Sequence, residues 1–337
     1  MAESSIEISI VITAYNRKRF IAEAIKSIFN QSYDPSKIEL IIVSNFDVEI
    51  PKSVPVGMDI KVIRSEGTMG EFLYEGISKA KAEIVAFLDD DDLWEQSKVN
   101  KVVLAFKRNQ ELIFYRNSLI YIDKDRTPIK NKRVLDILPC NLRGFRIFGK
   151  EELIRNLSGI LKCGGDFNLS TFAIRKDIMN TSRYAQLRSI VSGPDAFFFW
   201  VAALTPGAFA LDSDILTFYR VHNLNVSDSV DIYSKPKEIM REAKTFETLL
   251  ENHDENMDGR ILRWLNLLYS EYNEMSSIFS AKSRKIVGRE FAKTLRYPIS
   301  MMHPMRIELS LLSTVYLISP VLALGLYNKI TEKLRKG

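Results

Sequence analysis

The sequence has few cysteines, few histidines and little net charge. Its 337 residues include two cysteines, three histidines and 47 basic against 42 acidic side chains, which gives a net charge of +5. Cys140 and Cys163 lack the spacing of a zinc or redox motif. The sequence has no basic stripe with interleaved aromatic residues, which argues against nucleic acid as a partner. No signal peptide is predicted, because Met1 to Glu7 is short and acidic.

A long uncharged run occurs near the carboxyl end of the sequence. The stretch from Leu309 to Tyr327 has 19 residues without a charge, about the length that spans the hydrocarbon core of a bilayer. Basic residues flank it, and Pro320 lies in its middle. These features favour a segment that lies in the membrane surface over one that crosses it. A helix buried in the protein core is the alternative.

Alternating strand and helix patterns predict an α/β fold for residues 8–220. Apolar β-branched runs predict buried strands, and apolar residues at helical spacing predict amphipathic helices. The first strand, helix and second strand are predicted over 8–14, 19–30 and 39–44, which form a parallel βαβ unit. Further strands are predicted over 60–64, 84–88, 112–115, 119–122, 169–174, 208–212 and 215–220. Further helices are predicted over 70–80, 95–106, 151–161 and 196–204, and residues 235–296 are charged and helical in pattern.

Four consecutive carboxylates, Asp89 to Asp92, follow the buried strand over 84–88. Like charges this close repel each other, so the cluster is stable only when it is solvated or neutralised by a cation. Other polar residues follow the first two strands at the same edge of the predicted sheet, where open α/β sheets bind ligands. These are Thr13, Tyr15 and Arg17 after the first strand, and Ser44 and Asn45 after the second. The pattern predicts a nucleotide crevice, with a solvated acidic turn as the alternative.

The ordered set of motifs resembles family 2 glycosyltransferases with the GT-A fold. The matching segments are Val11–Arg17, Phe87–Asp92, Gly193–Asp195 and Tyr219–Ser227, together with the end of the second strand. The resemblance implies a doubly wound, mostly parallel sheet with helices on both faces. It also implies that a sugar moves from a nucleoside diphosphate sugar to an acceptor in one displacement, with inversion and with help from Mg²⁺ or Mn²⁺.

The resemblance assigns the donor and metal side of the site. Thr13 and Tyr15 would line the base and ribose. Asp89 and Asp91 would form the D-x-D pair of the family, with Asp91 on the metal and Asp89 on the ribose or a metal-bound water. Asp90 and Asp92 are the next candidates, since the sequence does not show which of the four points inward.

The resemblance also assigns residues from later in the chain. Asp195 matches the base that deprotonates the acceptor hydroxyl, and an N-cap of the following helix is its structural alternative. His222 could reach the metal or the diphosphate, or could be an ordinary surface histidine. Arg220 could pair with a phosphate through its planar fork. The chain departs from the family at Ser44 and Asn45, where many members carry adjacent aspartates that recognise uracil.

We therefore predict a glycosyltransferase of hexosyl or N-acetylhexosaminyl type with three regions. Residues 1–228 would be the catalytic domain, 229–304 a helical linker or packing region, and 305–337 an apolar membrane-associated segment with a basic tail. The expected donor is a UDP-sugar, and the expected acceptor is lipid-linked or a glycan. The expected location is the cytoplasmic side of the cell membrane.

Two other functional classes remain open. A sugar-phosphate nucleotidyltransferase could use the same fold and acidic cluster, although the glycine-rich, lysine-containing loop of such enzymes is missing after the first strand. A non-catalytic membrane protein that binds a nucleotide sugar is the other alternative.

Overall fold

A computed structural model describes residues 6–129, 144–222, 235–251, 258–280, 282–298, 301 and 304–325. Within them, a nine-stranded sheet is followed by a helical region. The strands are β1 (Ile8–Ala14), β2 (Ile38–Ser44), β3 (Asp59–Arg64), β4 (Ile84–Asp89), β5 (Leu93–Trp94), β6 (Leu112–Ile122), β7 (Phe145–Phe148), β8 (Phe172–Arg175) and β9 (Ala208–Arg220). The helices are α1 (Ile21–Phe29), α2 (Met69–Lys79), α3 (Lys98–Arg108), α4 (Lys150–Lys162), α5 (Thr181–Ser189), α6 (Pro194–Leu204), α7 (Lys235–Glu251), α8 (Gly259–Phe279), α9 (Arg284–Thr294) and α10 (Pro304–Ile318).

The strands follow the order β3-β2-β1-β4-β8-β6-β9-β5, and β7 pairs with β9. The first four are parallel, as predicted for βαβ units. Beyond β4 the sheet is mixed: β8 runs antiparallel to both β4 and β6, whereas β6 and β9 are parallel. The predicted mostly parallel sheet is therefore corrected to a mixed one. Strands β7 and β8 both run opposite to β6 and β9, with helix α4 between them, so the chain has reversed its direction between β6 and β7.

Two predicted breaks in strands are absent. Residues 116–118 and 213–214 are polar and were predicted to separate pairs of short strands, but β6 and β9 run through them. The Asn117 side-chain amide donates to Thr217 Oγ1 at 2.9 Å, and the Tyr115 hydroxyl donates to Asp212 Oδ2 at 2.7 Å. Because these polar groups find partners across the sheet, both strands continue through the polar residues, with a shift in their pairing register at Ser118.

Hydrophobic layers cover both faces of the sheet. One layer includes residues of α1 and α3, and the other includes residues of α2, α4 and α6. Helix α6 is apolar on every side, and residues 197–203 are all buried. A helix with this composition is stable only inside a core. Its first turn, which carries Asp195, is therefore held against the sheet.

The helices after β9 pack on one another and on the sheet domain. Helix α7 contacts α6 and α8, and α8 contacts α9 and α10. Leu309 and Tyr316 of α10 share an apolar cluster with Ile278 of α8 and Val287 of α9. The buried hydroxyl of Ser313 also donates to Glu274 of α8. One side of α10 is therefore buried in protein.

The described part of the predicted apolar segment is helical on both sides of Ser319, over residues 309–318 and 320–325. Helix α10 ends at Ile318, ahead of Pro320. In the part of the chain that the structure describes, no helix combines the length and apolar character needed to cross a membrane. The basic tail predicted after this segment lies outside the described residues, as do positions 223–227 of the last motif.

Candidate active site

The four aspartates at the end of β4 form a loop that is largely enclosed. Asp90, Asp91 and Asp92 are 1%, 4% and 0% exposed, so the solvated acidic turn is ruled out. Burial, with the charges of Asp92 and Asp91, raises the pKa of Asp89 well above its ordinary value. Burial and Asp91 likewise raise the pKa of Asp92 to about 7, although hydrogen bonds oppose this effect. Such a cluster needs positive charge beside it.

Arg17, in the loop after β1, supplies positive charge to this cluster. Its Nη1 lies 2.5 Å from Asp91 Oδ2, and its Nη2 lies 2.6 Å from Asp90 Oδ1. Burial lowers the pKa of Arg17, but Asp91, Asp90 and the other two carboxylates raise it overall. Arg17 therefore stays charged and faces two of the four acids, in the position that the sequence predicted for donor binding.

A pair of asparagines holds the loop that carries Arg17. Asn16 has a left-handed backbone with φ of 58°, which asparagine tolerates better than most residues. Its N–H donates to Asn45 Oδ1 at 2.9 Å, and Asn45 Nδ2 donates to Asn16 Oδ1 at 2.7 Å. Asn45, one of the polar residues predicted at the nucleotide crevice, therefore holds the backbone between Tyr15 and Arg17.

The remaining residues predicted on the donor side have different surroundings. Thr13 is buried next to Asp89 in the β1–β4 register, and its Oγ1 has no hydrogen-bond partner among the described residues. Tyr15 is 48% exposed and its ring contacts the edge of Phe72. Ser44 is fully buried and its hydroxyl donates to the Phe46 carbonyl. Tyr15 is thus free to stack on a ligand, whereas Ser44 is committed to a turn.

His222 and Arg220 bring the end of β9 to the acidic loop. His222 Nε2 lies 3.0 Å from Asp91 Oδ2, and its ring packs on Phe20 at 4.9 Å between centroids. The Arg220 side chain is fully buried and donates to the carbonyls of Asp91 and Lys124 and to the Glu23 carboxylate. His222 therefore faces the predicted metal ligand. Arg220 holds the backbone of the acidic loop by its bond to the Asp91 carbonyl. This role differs from the predicted contact with a phosphate.

Asp92 is an internal anchor of the loop. Its Oδ2 accepts from Ser170 Oγ at 2.6 Å and from Asn168 Nδ2 at 3.2 Å, and its Oδ1 accepts from the Arg220 N–H at 2.9 Å. A carboxylate with three internal donors has little capacity left for an external ligand. Among the four acids, Asp89, Asp90 and Asp91 are therefore the ones available to a donor or a metal.

Asn168 connects the acidic loop to the predicted base. Its side chain donates to Asp92, and its backbone N–H donates to Asp195 Oδ2 at 3.0 Å. Asn168 thus contacts both Asp195 and the acidic cluster, although 103 positions separate Asp92 and Asp195 in the chain. The sequence showed only that a loop precedes β8. The backbone of Asn168 is left-handed, with φ of 70°. The sequence indicates this position only through its residue type, because asparagine tolerates a left-handed backbone better than most residues.

The surroundings of Asp195 suit a group that accepts a proton. Burial raises its pKa, whereas the N–H groups of Asn168 and Ala196 and the charge of Arg116 act in the opposite direction. Arg116 is fully buried and donates to the Phe167 carbonyl at 3.3 Å, next to Asn168. The N-cap of α6 is Gly193, so Asp195 is not the cap but lies in the first turn. A raised pKa brings a carboxylate closer to that of an efficient general base.

The side chains around the acidic loop suit a metal ion that takes part of its coordination shell from a bound diphosphate. Within the described ranges, no three His, Cys, Asp or Glu side chains converge as a ready metal site. Asp91 and His222 do meet, and the buried Asp90 Oδ2 has no hydrogen-bond partner among the described residues. Mg²⁺ in nucleotide enzymes often takes one or two carboxylates and completes its shell with phosphates and water. These side chains fit that arrangement.

Comparison with known proteins identifies the family of this domain. Residues 9–176 match Glycosyl transferase family 2. The chain carries a family 2 glycosyltransferase domain. It is 33% identical over 109 residues to an uncharacterized glycosyltransferase of Nostoc sp., with 30% of this chain and 33% of that protein covered. It is 25% identical over 146 residues to one of Rickettsia typhi, with 39% and 45% covered. The chain thus spans less than half the length of these relatives.

Two solved glycosyltransferase structures share the fold of this domain and its helical region. The crystal structure of S. aureus TarS 1–349 in complex with UDP-GlcNAc aligns with a TM-score of 0.58 at 14% identity, covering 98% of this chain and 92% of that one. The mannosyltransferase PcManGT from Pyrobaculum calidifontis, in complex with GDP-Man and Mn²⁺, aligns with a TM-score of 0.51 at 13% identity, covering 94% and 86%. The mixed α/β fold of this chain is consistent with the GT-A type.

Proposed function

We propose that this protein is an inverting, metal-assisted glycosyltransferase that moves a hexosyl or N-acetylhexosaminyl group from a nucleoside diphosphate sugar to an acceptor hydroxyl or phosphate. The proposal rests on the position of Asn168, whose side chain binds Asp92 and whose backbone N–H binds Asp195; we call this pair of bonds the Asn168 bridge. It holds a carboxylate with a raised pKa next to an acidic loop that faces Arg17 and His222. A proton acceptor beside a diphosphate site is what a single displacement at a sugar carbon requires.

The residues divide into a donor side and an acceptor side. The exposed ring of Tyr15 stacks on the base, and Arg17 turns its two N–H groups from the carboxylates to the diphosphate. A Mg²⁺ or Mn²⁺ ion held by Asp91 and His222 would offset negative charge on the leaving nucleoside diphosphate. Asp89 lies at the ribose or at a water of that ion. UDP-sugars are the first donors to test, because TarS binds UDP-GlcNAc, and GDP-sugars follow because PcManGT binds GDP-Man.

Asp195 performs the proton transfer. It takes the proton from the acceptor hydroxyl as that oxygen attacks the anomeric carbon, and the bond from this carbon to the diphosphate oxygen breaks. Attack opposite the leaving group inverts the configuration. The two N–H groups and Arg116 hold the Asp195 carboxylate in one orientation, so that little reorganisation accompanies the proton transfer.

A cavity near the start of α6 suggests the class of acceptor. A cavity of about 400 Å³ lies between the end of α5 and α7. The Thr245 hydroxyl, which lines it, donates to the carbonyl of Ser192, three residues before Asp195. Its lining combines apolar and basic residues, namely Ile190, Val191, Met240, Lys237, Arg241 and Lys244. This combination suits an amphiphilic acceptor with a phosphate, so we extend the proposal to a lipid-linked acceptor at the cytoplasmic side of a membrane.

The test is a panel of labelled UDP- and GDP-sugars incubated with the purified chain and Mn²⁺ or Mg²⁺. We expect slow hydrolysis of one donor, and transfer when the correct acceptor is added. Conversion of the donor and pyrophosphate to a nucleoside triphosphate and a sugar 1-phosphate would instead support a nucleotidyltransferase. Binding of donor without turnover would support a non-catalytic protein.

The role of Asp195 has a separate test. Asp195→Asn keeps the shape of the side chain but removes the base, so we expect transfer to fall at least a hundredfold, within the usual contribution of general base catalysis. Donor affinity should stay near that of the wild type. The exposed Asp177→Asn is the control and should transfer normally. Turnover of Asp195→Asn near the wild-type rate would remove Asp195 from this role.

A further inference from the structure

The outer side of α10 carries apolar residues that nothing in the described part of the chain covers. Four large side chains are strongly exposed: Leu311 at 65%, Ile318 at 71%, Val321 at 81% and Leu322 at 65%. We call these four residues the apolar stripe. The N–H of Ser319 donates to the Val315 carbonyl, so the helical path continues past the end of α10 and the stripe stays on one side. Exposed apolar patches of this kind mark interaction surfaces.

The neighbouring helix α9 and its ends are strongly basic. Residues 282–296 contain six basic side chains and one acidic side chain, Glu290. The six basic residues are all exposed: Lys282, Arg284, Lys285, Arg289, Lys293 and Arg296. We call them the basic face. Lys293 pairs with Glu290 at 2.8 Å, so the basic face keeps a clear excess of positive charge.

The apolar stripe and the basic face are neighbours. The hydroxyl of Tyr316 donates to the carbonyl of Lys282 at 2.8 Å, which ties the start of the basic face to the part of α10 that ends at Ile318. A Cβ at Gly288 would lie 3.4 Å from Leu317, so α9 and α10 are in close contact along this region. Both helices bury their other sides against α8 through Val287 and Leu309. Their exposed sides therefore lie away from α8.

We infer that the apolar stripe and the basic face together bind an anionic lipid surface, with α10 lying in the plane of the interface. Acyl chains take up the apolar side chains, and the basic side chains meet anionic headgroups, as in other interfacial amphipathic helices. The excess of positive charge favours a lipid surface over a second copy of this chain, because two basic faces brought together would repel.

This inference does not depend on the enzymatic proposal, because binding to vesicles is measured without donor or acceptor. The full chain is mixed with vesicles of phosphatidylcholine alone, or of phosphatidylcholine with phosphatidylglycerol, and separated by flotation. We expect binding to the anionic vesicles, weak binding to the neutral ones, and release at high salt, since screening weakens the attraction of charges near the surface.

Two sets of variants separate the apolar from the electrostatic contribution. Ile318→Asp with Val321→Asp should lower the partition coefficient at least tenfold. Arg284→Gln with Lys285→Gln should lower it about thirtyfold, since each basic residue near an anionic surface contributes about fivefold. The matched controls carry changes of the same kind on the sheet domain: Val54→Asp with Val56→Asp, at 43% and 96% exposure, and Lys26→Gln with Lys79→Gln. The controls should bind like the wild type, and all variants should keep the wild-type melting temperature.

Three results would overturn the inference. One is the absence of binding to anionic vesicles. Another is equal binding by the wild type and both pairs of variants. The third is a dimer in sedimentation that the Ile318→Asp, Val321→Asp variant converts to a monomer while vesicle binding is absent, because the apolar stripe would then be an interface between copies.

Discussion

Substitutions at Asn168 should separate the position of the catalytic base from the stability of the acidic loop. The side-chain amide of Asn168 binds Asp92, and its backbone N–H binds Asp195 in a left-handed conformation. Asn168→Gly removes the amide but accepts the same backbone conformation. Asn168→Ala removes the same amide and also adds the strain of a left-handed non-glycine residue, about 1 to 2 kcal/mol.

The size of each effect follows from the partners that remain. A hydrogen bond to a charged group contributes about 1.5 to 3 kcal/mol, and Asp92 keeps two other donors, so the lower end applies. We expect Asn168→Gly to lose about 1.5 kcal/mol of unfolding free energy, and Asn168→Ala about 3 kcal/mol once the strain is included. In both variants the loop that donates to Asp195 loses one attachment. Since a misplacement of about 1 Å can cost a hundredfold, kcat should fall between tenfold and a hundredfold.

Two measurements test these expectations. Urea unfolding gives the free energies, and transfer assayed well below the melting temperature gives kcat, with donor affinity measured separately. Donor affinity should stay unchanged, because Asp92 and Asn168 face inward and do not touch the donor side. Equal stability of the Gly and Ala variants would refute the role of the left-handed backbone. Wild-type kcat in Asn168→Gly would refute the coupling of this bridge to the base.

Three further predictions concern metal binding, packing and pH. His222→Ala should weaken the binding of Mn²⁺ in the presence of UDP at least tenfold, measured by calorimetry, while UDP alone binds as before; unchanged Mn²⁺ affinity would make His222 a bystander. Gly70→Ala should lower the unfolding free energy by about 3 kcal/mol or more, because its Cβ would lie 1.8 Å from the Leu187 carbonyl oxygen, whereas Gly159→Ala in α4 meets nothing within 4 Å and should be neutral or stabilising. Burial raises the pKa of Glu274 to about 7, against the hydroxyls of Ser313 and Thr294, so the folded state holds a proton that the unfolded chain has lost. Glu274 should therefore contribute about 3 kcal/mol of stability that is lost as the pH rises from about 4.5 to about 7. Glu274→Gln should remove this part of the slope, whereas the exposed Glu111→Gln should retain it.

Local patterns were sufficient for much of the fold. The apolar run over 8–14 matches β1 at both ends, and the strand and helix that frame the acidic loop were placed within a few residues. These elements could be predicted because a strand buried on both faces is apolar throughout, and an amphipathic helix repeats its apolar residues. The placement of Asp89 to Asp92 at a strand end followed from the same pattern.

The roles of the polar residues could be predicted less well. Ser44, Asn45 and Arg220 all lie near the site, as expected, yet each binds protein groups: the Phe46 carbonyl, Asn16, and the Asp91 carbonyl with Glu23. The same type of polar residue at the end of a strand can either support a loop or bind a ligand. Their partners lie far along the chain, so only the folded structure distinguishes them.

The sequence by itself determined where the buried strands lie, that four acids end one of them, and that an all-apolar helix follows Asp195, because these depend on the chemistry of neighbouring residues. Only the tertiary structure decided that β8 runs antiparallel beside β4 and that Asn168 joins Asp92 to Asp195. Strand pairing and loop contacts depend on which distant segments share a core, and no local pattern contains that information.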